Sequence, residues 1–403
     1  MAVLILLSGL ATRLFRGVEV TLVLFAFSFA YLLRKNSVFD KRYLIACFVW
    51  FSYVVFSYIK YPGENYFWPF LYFCNLTIVF AVVRFYGEDF FRVYSSVMYY
   101  VSAYSLFLFG FQLLSVDAMY SIWSAFDMSG SLFDKPYTYY AHTLFYTIHQ
   151  FRDVSKGVPR NAGFCWEPGV FSCFIVMAIY FQLVCDSYKV DRSKLRYLVF
   201  FIALLTTQST TGLTGALVVF VGYLLNLRRE SRGKYMIFAL LIALPLAVVL
   251  PEQLDKIEEQ LSEDLAEQVL MIDASEHEKG LGRFQSIYIL AIDFLDNPIL
   301  GVGANRESTW VSRMGIDANP TSGIGNMVAT YGMFLMLPFL LVLAASSKAV
   351  AARAGGRAGF VLFVVMIVLG FSFSVIETPI FLSIVFWGYF CRCQSRAIGG
   401  CKV

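Results

Sequence analysis

The stretch "PRNAGFCWEPGVF", residues 159–171, gathers Arg160, Asn161, Trp166 and Glu167 directly ahead of a strongly apolar run. A guanidinium binds phosphate oxygens through paired hydrogen bonds and stays cationic at any physiological pH. A carboxylate seven residues further on is a candidate general base. Both residues also have an ordinary reading. Arg160 is then an interfacial anchor, and Glu167-Pro168 a helix start, where proline suits the first turn and a carboxylate complements the helix dipole.

Three more polar clusters follow. "TTQSTTGLTG", residues 206–215, sets Thr210 within an unbroken polar run between two apolar segments. It is either a tight turn at the outer surface or the lining of a cavity. "GLGRFQSIYILAIDFLDNPILGVG", residues 280–303, has an apolar part too short to span a bilayer and reads as an interfacial helix ended by Asn297-Pro298. Arg283 stands in its first turn, where a cation opposes the dipole, so helix stability does not explain its place. Arg306 and Arg313 follow. "DANPTSGIGNMVATYG", residues 317–332, offers Asn319, Thr321, Ser322 and Asn326 ahead of another apolar run. Thr321 or Ser322 also suits the role of helix cap.

Metal chemistry is not expected. The eight cysteines are scattered, mostly inside apolar runs, and Cys391 and Cys393 form a lone C-x-C without a second pair. His142, His149 and His277 are far apart in sequence. No cofactor motif is present, so charge developing during a reaction falls to protein groups.

The elements that must position these residues are those of a polytopic membrane protein. The chain has 403 residues, is 59% hydrophobic and 18% aromatic, and is only 15% charged, against about a quarter for a soluble domain. Apolar runs predict an all-α single membrane domain over 1–403, with spans near 17–33, 42–60, 66–84, 93–115, 169–186, 196–210, 212–227, 234–250, 323–344, 359–375 and 378–391. That is eleven spans, or twelve if residues 2–16 add a short one. The start lacks a basic region before its apolar part and is not read as a cleaved signal. Most of the 32 lysines and arginines fall in alternate short connections: Arg34 to Arg42, Arg84 to Arg92, Lys189 to Arg196, Arg228 to Lys234, Lys348 to Arg357, and Arg392 to Lys402. These mark the cytoplasmic side. Two long connections, about 116–168 and 251–322, then fall on the outer side, where long loops commonly carry function. The second opens with Leu254, Ile257, Leu261 and Leu265 at helical spacing and an acidic opposite face, a solvated helix or a partner contact. The span interiors hold few ionisable residues, which argues against an ion-coupled transporter and for a site at the outer face.

The four clusters together resemble a family. "RNAGFCWEPGVF" looks like the R-x-x-G-x-x-x-E-P element of bacterial O-antigen and capsular polysaccharide polymerases (Wzy type) and the related O-antigen ligases. "TTQSTTGLTG" is similar to the family's Ser-Thr-Gly element. "GRFQSIYILAIDFLDNPILGVGAN" resembles its Arg-led segment ending in N-P-x-x-G-x-G, and "SGIGNMVATYG" its polar helix start followed by a glycine. The resemblance covers residues 155–345. The ligase branch carries a His-Asn pair about eleven residues before the glycine matching Gly332. Here those positions are Thr321 and Ser322, which tilts the reading towards polymerase.

The resemblance implies a GT-C-like, metal-independent glycosyltransferase of the bacterial inner membrane with its site facing the periplasm. The donor would be an oligosaccharide on undecaprenyl pyrophosphate and the acceptor a second lipid-linked repeat. Membrane lipid and a chain-length regulator protein are the implied partners, and nucleic acid is not. Arg160 and Arg283 would meet the leaving pyrophosphate, with Arg306 and Arg313 next, and Glu167 would serve as base. Asn161, Trp166, Thr210, Ser322 and Asn326 would line the substrate. A ligase, or a lipid-linked sugar flippase of a different class, is the alternative.

Overall fold

The computed structural model describes residues 1–9, 18–61, 67–128, 138–143, 145–151, 158–226, 283–303, 308–314, 322–356 and 358–391. The expected span at 234–250, the acidic helix that follows it, Arg306, Asn319 and Thr321 lie outside the described residues.

Helices dominate: α1 (Ala2–Ser8), α2 (Val18–Arg34), α3 (Lys41–Lys60), α4 (Phe67–Tyr86), α5 (Phe90–Leu114), α6 (Val116–Ser124), α7 (Pro168–Cys185), α8 (Lys194–Thr207), α9 (Thr210–Asn226), α10 (Arg283–Asp296), α11 (Trp310–Arg313), α12 (Gly323–Arg353), α13 (Val361–Ser372) and α14 (Pro379–Phe390). Among the described residues, four stretches are long and apolar enough, by length and composition, to cross a membrane: Lys41–Lys60, Phe67–Leu114, Pro168–Cys185 and Gly323–Arg353. A 3-10 turn at Gly87–Asp89 divides the second into α4 and α5. Thr210–Asn226, Val361–Ser372 and Pro379–Phe390 are shorter apolar helices.

α7 is the axis of the bundle. It is apolar on every side, and 89% of it is buried, which marks a helix packed all round by protein. α5, α8 and α9 surround it, while α12 packs against α13, α14 and α10, and α4 against α2 and α14. α3 is the contrast, only 17% buried. Its exposed Phe48, Phe51 and Ile59 suit a surface whose solvent is hydrocarbon.

The first long loop departs from the wholly helical expectation. After α6, strands β1 (Thr138–His142) and β2 (Thr147–Phe151) pair antiparallel, with Tyr140 opposite His149 and His142 opposite Thr147. Residues alternate between the two faces of such a hairpin. Ile148 and Tyr139 therefore face the cluster of Leu108, Phe109 and Met119, where Gln112 joins Tyr146 and Gln150 by hydrogen bonds of 2.8 and 3.0 Å. Tyr140, His142, Thr147 and His149 share the opposite face.

α12 is broken at Gly332 (φ 58°), leaving carbonyls on one side of the break and N–H groups on the other without helical partners. The 297–303 segment fills the gap. Val302 and Gly303 donate to Ala329 O and Thr330 O (2.9 and 3.1 Å), and Met333 and Phe334 donate to Pro298 O and Ile299 O (2.9 Å each). Gly301 (φ 69°) and Gly332 lie so close that a Cβ on either would stand 2.3 Å from a backbone oxygen of the other segment. The N-P-x-x-G-x-G element is thus a backbone interlock. Tyr53 also donates to Thr330 O and Tyr61 to Gly301 O (3.1 and 2.9 Å).

Candidate functional site

The 158–167 loop is anchored by Asn161, which is fully buried. Its side-chain oxygen accepts from Ser105 and from Gly163 N (2.6 and 2.9 Å), and its amide donates to Thr206 Oγ1 (3.1 Å). These bonds tie the loop to α5 and to the end of α8. Arg160 donates from Nε to Thr207 O (3.0 Å) and from a terminal nitrogen to Gln208 O (3.3 Å). The two carbonyls are otherwise orphans of a helix C-terminus. These two bonds fix the orientation of the guanidinium plane.

Glu167 occupies the N-cap position of α7 in extended conformation, with Pro168 at the first helical residue. Its carboxylate makes no cap hydrogen bond, so what it gives the helix start is negative charge against the dipole. Trp166 stands edge-on to Phe373 at 6.5 Å.

"TTQSTTGLTG" is a turn, and a buried one. α8 ends at Thr207, Gln208 takes the left-handed conformation, and α9 starts at Thr210. Thr207, Ser209 and Thr211 are buried; Ser209 receives a bond from Ser172 of α7 (3.1 Å), and Thr211 bonds Ser372 of α13 (2.7 Å). A side chain at Gly212 would collide with Ser172, which is why the turn can lie flat on α7.

Ser322 caps α12: it accepts from Gly325 N (3.3 Å) and donates to Phe371 O (3.1 Å). Asn326, one turn further on, is half-buried. α10 begins at Arg283, whose side chain lies outside the described residues; it packs on α12 and buries Ser286, Ile289, Leu290 and Asp293, the last against the Trp310 N–H of α11. Arg313 sits 2.6 Å from Asp296 and 4.0 Å from Asp293, an anchoring arrangement for α11. Burial raises the Asp293 carboxyl above its ordinary range, opposed by the Trp310 N–H and the Arg313 charge. The loop at 160–167, the 206–212 turn and the start of α12 therefore converge at one end of the bundle, and α10 packs beside them.

Two groups that sequence reasoning passed over belong here. The hairpin face carrying Tyr140 and His149 covers the 160–167 loop: Tyr140 donates to Trp166 O (3.5 Å), and Thr147 N bonds Gly163 O (2.6 Å). His149 stacks edge-on with Tyr140 at 5.8 Å. Burial, reinforced by the Arg160 charge, pushes its imidazole down to about 4. The second group is Glu377, in the 3-10 turn Ser374–Glu377 between α13 and α14. With Trp50, Tyr72, Tyr331 and many aliphatic side chains it lines a cavity of about 350 Å³ between α3, α4, α12 and α14. Burial pushes this carboxyl up to about 7, against the stabilising Tyr72 hydroxyl. Glu377 is the single charged residue between 358 and 391, a signal available in the sequence. His149 had none, because only strand register brings it to Arg160.

Among the described residues no group of histidine, cysteine and acidic side chains could hold a metal ion. No protein-family model, no curated protein and no solved structure matches this chain.

Proposed function

We propose that the chain is a membrane glycosyltransferase of the polysaccharide polymerase type, which transfers a glycan from undecaprenyl pyrophosphate onto a lipid-linked repeat at the outer face. The observation that carries this reading is the convergence of the Arg160–Glu167 loop, the 206–212 turn and the Ser322–Asn326 helix start at one end of an apolar bundle. An apolar cavity of about 350 Å³, lined along α12 from Met327 to Val342, is of a kind suited to a polyprenyl chain. The acceptor hydroxyl attacks the donor's anomeric carbon, a carbon–oxygen bond forms, and the bond to the pyrophosphate breaks. Negative charge grows on the leaving group, and preorganised arginines are the groups that stabilise it. Arg160 fits because its plane is fixed before substrate arrives; Arg283 is the second candidate from sequence.

The hydroxyl proton needs an acceptor. Glu167 is one, a carboxylate at the N-cap of α7 on the same loop as Arg160. His149 is the other: it is neutral at pH 7, and a bound pyrophosphate beside Arg160 would draw its basicity back up.

Gel analysis of surface polysaccharide in a strain lacking the protein tests the assignment. Loss of the ladder with a single repeat retained on the core supports the polymerase. Complete loss of repeats, with polymer left on the carrier lipid, means a ligase. An unaltered ladder sinks both.

A further inference from the structure

At the far end of α7 and α8 lies a second cavity, of about 540 Å³, lined by Arg92, Tyr99, Gln182, Asp186, Arg192 and Arg196 among others. The 18 residues of α7 put it about 27 Å from the Arg160 loop at 1.5 Å per residue. Its charges are arranged unusually. Asp186 is 7% exposed and stands among arginines, yet no ion pair joins them among the described residues. Its carboxylate accepts from three neutral donors instead: Gln182 Nε2 at 3.0 Å, Tyr197 OH at 3.0 Å and Ser193 Oγ at 3.3 Å. The acid is therefore hydrogen-bonded by neutral groups, and no arginine among the described residues is tied up in a direct pair with it.

Arg196 is held in place by equally neutral contacts. One terminal nitrogen donates to Gln182 Oε1 (3.2 Å) and Ser96 Oγ (3.4 Å), and the guanidinium lies over the Tyr99 ring at 5.6 Å. Gln182 is itself fixed by Ser95 at 2.6 Å. The Nε and the other terminal nitrogen of Arg196 have no partner among the described residues. Arg192 has no side-chain partner there either, and Arg92 pairs with Asp89 only at the exposed rim. Arg196 also stands in the first turn of α8, which holds no acidic residue, so the helix dipole opposes its placement. A planar cation pinned on one side and open on the other matches a phosphate group, which takes two parallel hydrogen bonds from such an edge.

We propose that this cavity binds a phosphate group, with Arg196 as the oriented ligand and Arg192 and Arg92 as supporting charges. Two sources carry that chemistry, the headgroup of an acidic phospholipid and free inorganic phosphate. The basic loops at this end of the bundle suit the leaflet-facing position in which lipid headgroups are met. This site is independent of the glycosyl-transfer reading and stands or falls separately.

The test uses the full chain purified in neutral detergent and follows thermal unfolding during titration with phosphatidylglycerol, phosphatidylcholine or inorganic phosphate. Phosphatidylglycerol is expected to raise the unfolding temperature saturably while phosphatidylcholine does not. Arg196→Gln should weaken the apparent affinity about tenfold, the loss of one charge-assisted pair. Arg192→Gln, at an exposed position that cannot compromise folding, should weaken it several-fold and flatten the salt dependence. Stabilisation by inorganic phosphate as well assigns the site to the phosphate group from either source; stabilisation by the lipid alone assigns it to a headgroup. Equal effects of both lipids, no stabilisation by any probe, or lipid stabilisation that both variants leave intact would overturn the proposal.

Discussion

Gly301→Ala is the sharpest test of the interlock that holds α10 against the broken α12. Gly301 has φ 69°, where an alanine costs roughly 1–2 kcal/mol from its own backbone. Its Cβ would also stand 2.3 Å from Thr330 O and 2.5 Å from Ala329 O, both backbone atoms that no rotamer change can move. Relief requires breaking the bonds from Val302 and Gly303 to those same carbonyls, at about 1 kcal/mol or more each. The sum reaches about 4 kcal/mol, a size reserved for named structural damage. Gly87 supplies the control. It also has positive φ, at 50°, but a Cβ there meets nothing within 4 Å, so Gly87→Ala should cost only the backbone term. Thermal unfolding of the purified chains in detergent, read beside their accumulation in membranes, gives the comparison. Gly301→Ala should unfold far below Gly87→Ala, and Gly332→Ala, facing Ile299 O at 2.3 Å, should follow it down. Equal unfolding of Gly301→Ala and Gly87→Ala would refute the interlock.

Three further outcomes are expected. Arg160→Ala should lower stability by roughly 1.5–3 kcal/mol through the lost bonds to Thr207 O and Gln208 O, and cut polymer formation by roughly two to three orders of magnitude. A gel ladder of normal length from well-folded Arg160→Ala protein would remove Arg160 from the chemistry. His149 has a folded-state value of about 4, below the ordinary 6.5. The unfolded chain binds the extra proton, so stability should be full above about 6.5 and fall as pH drops towards 4; His149→Gln should flatten this window in unfolding curves taken across it. Glu377 runs the other way, with a folded value of about 7 against 4.5. Its contribution should weaken as pH rises from 4.5 through 7, and Glu377→Gln should unfold with no loss across that range.

How much of this was legible from residues alone differs by element. Helix positions followed from hydropathy: the span expected at 169–186 is α7 at Pro168–Cys185, and those expected at 196–210 and 212–227 are α8 and α9, because an apolar run in lipid has little choice but helix. Arg283 in the first turn of an interfacial helix was legible too, and α10 starts at that residue. The hairpin was not. "TYYAH" and "TIHQF" are short and mixed in polarity, and their pairing is a property of the long loop folding over α5 and α6. That pairing decides which acid–base group meets Arg160. Glu167 was legible from its spacing, whereas His149 reaches the same loop through the Tyr140↔His149 register and nothing nearer in sequence. The N-P-x-x-G-x-G glycines carry the opposite lesson. In the sequence they stand only as part of a family element, and the structure spends them on backbone meeting backbone at Thr330. A motif in a membrane protein can therefore mark the place where a broken helix must have its hydrogen bonds completed, with the chemistry carried by side chains on the elements so positioned.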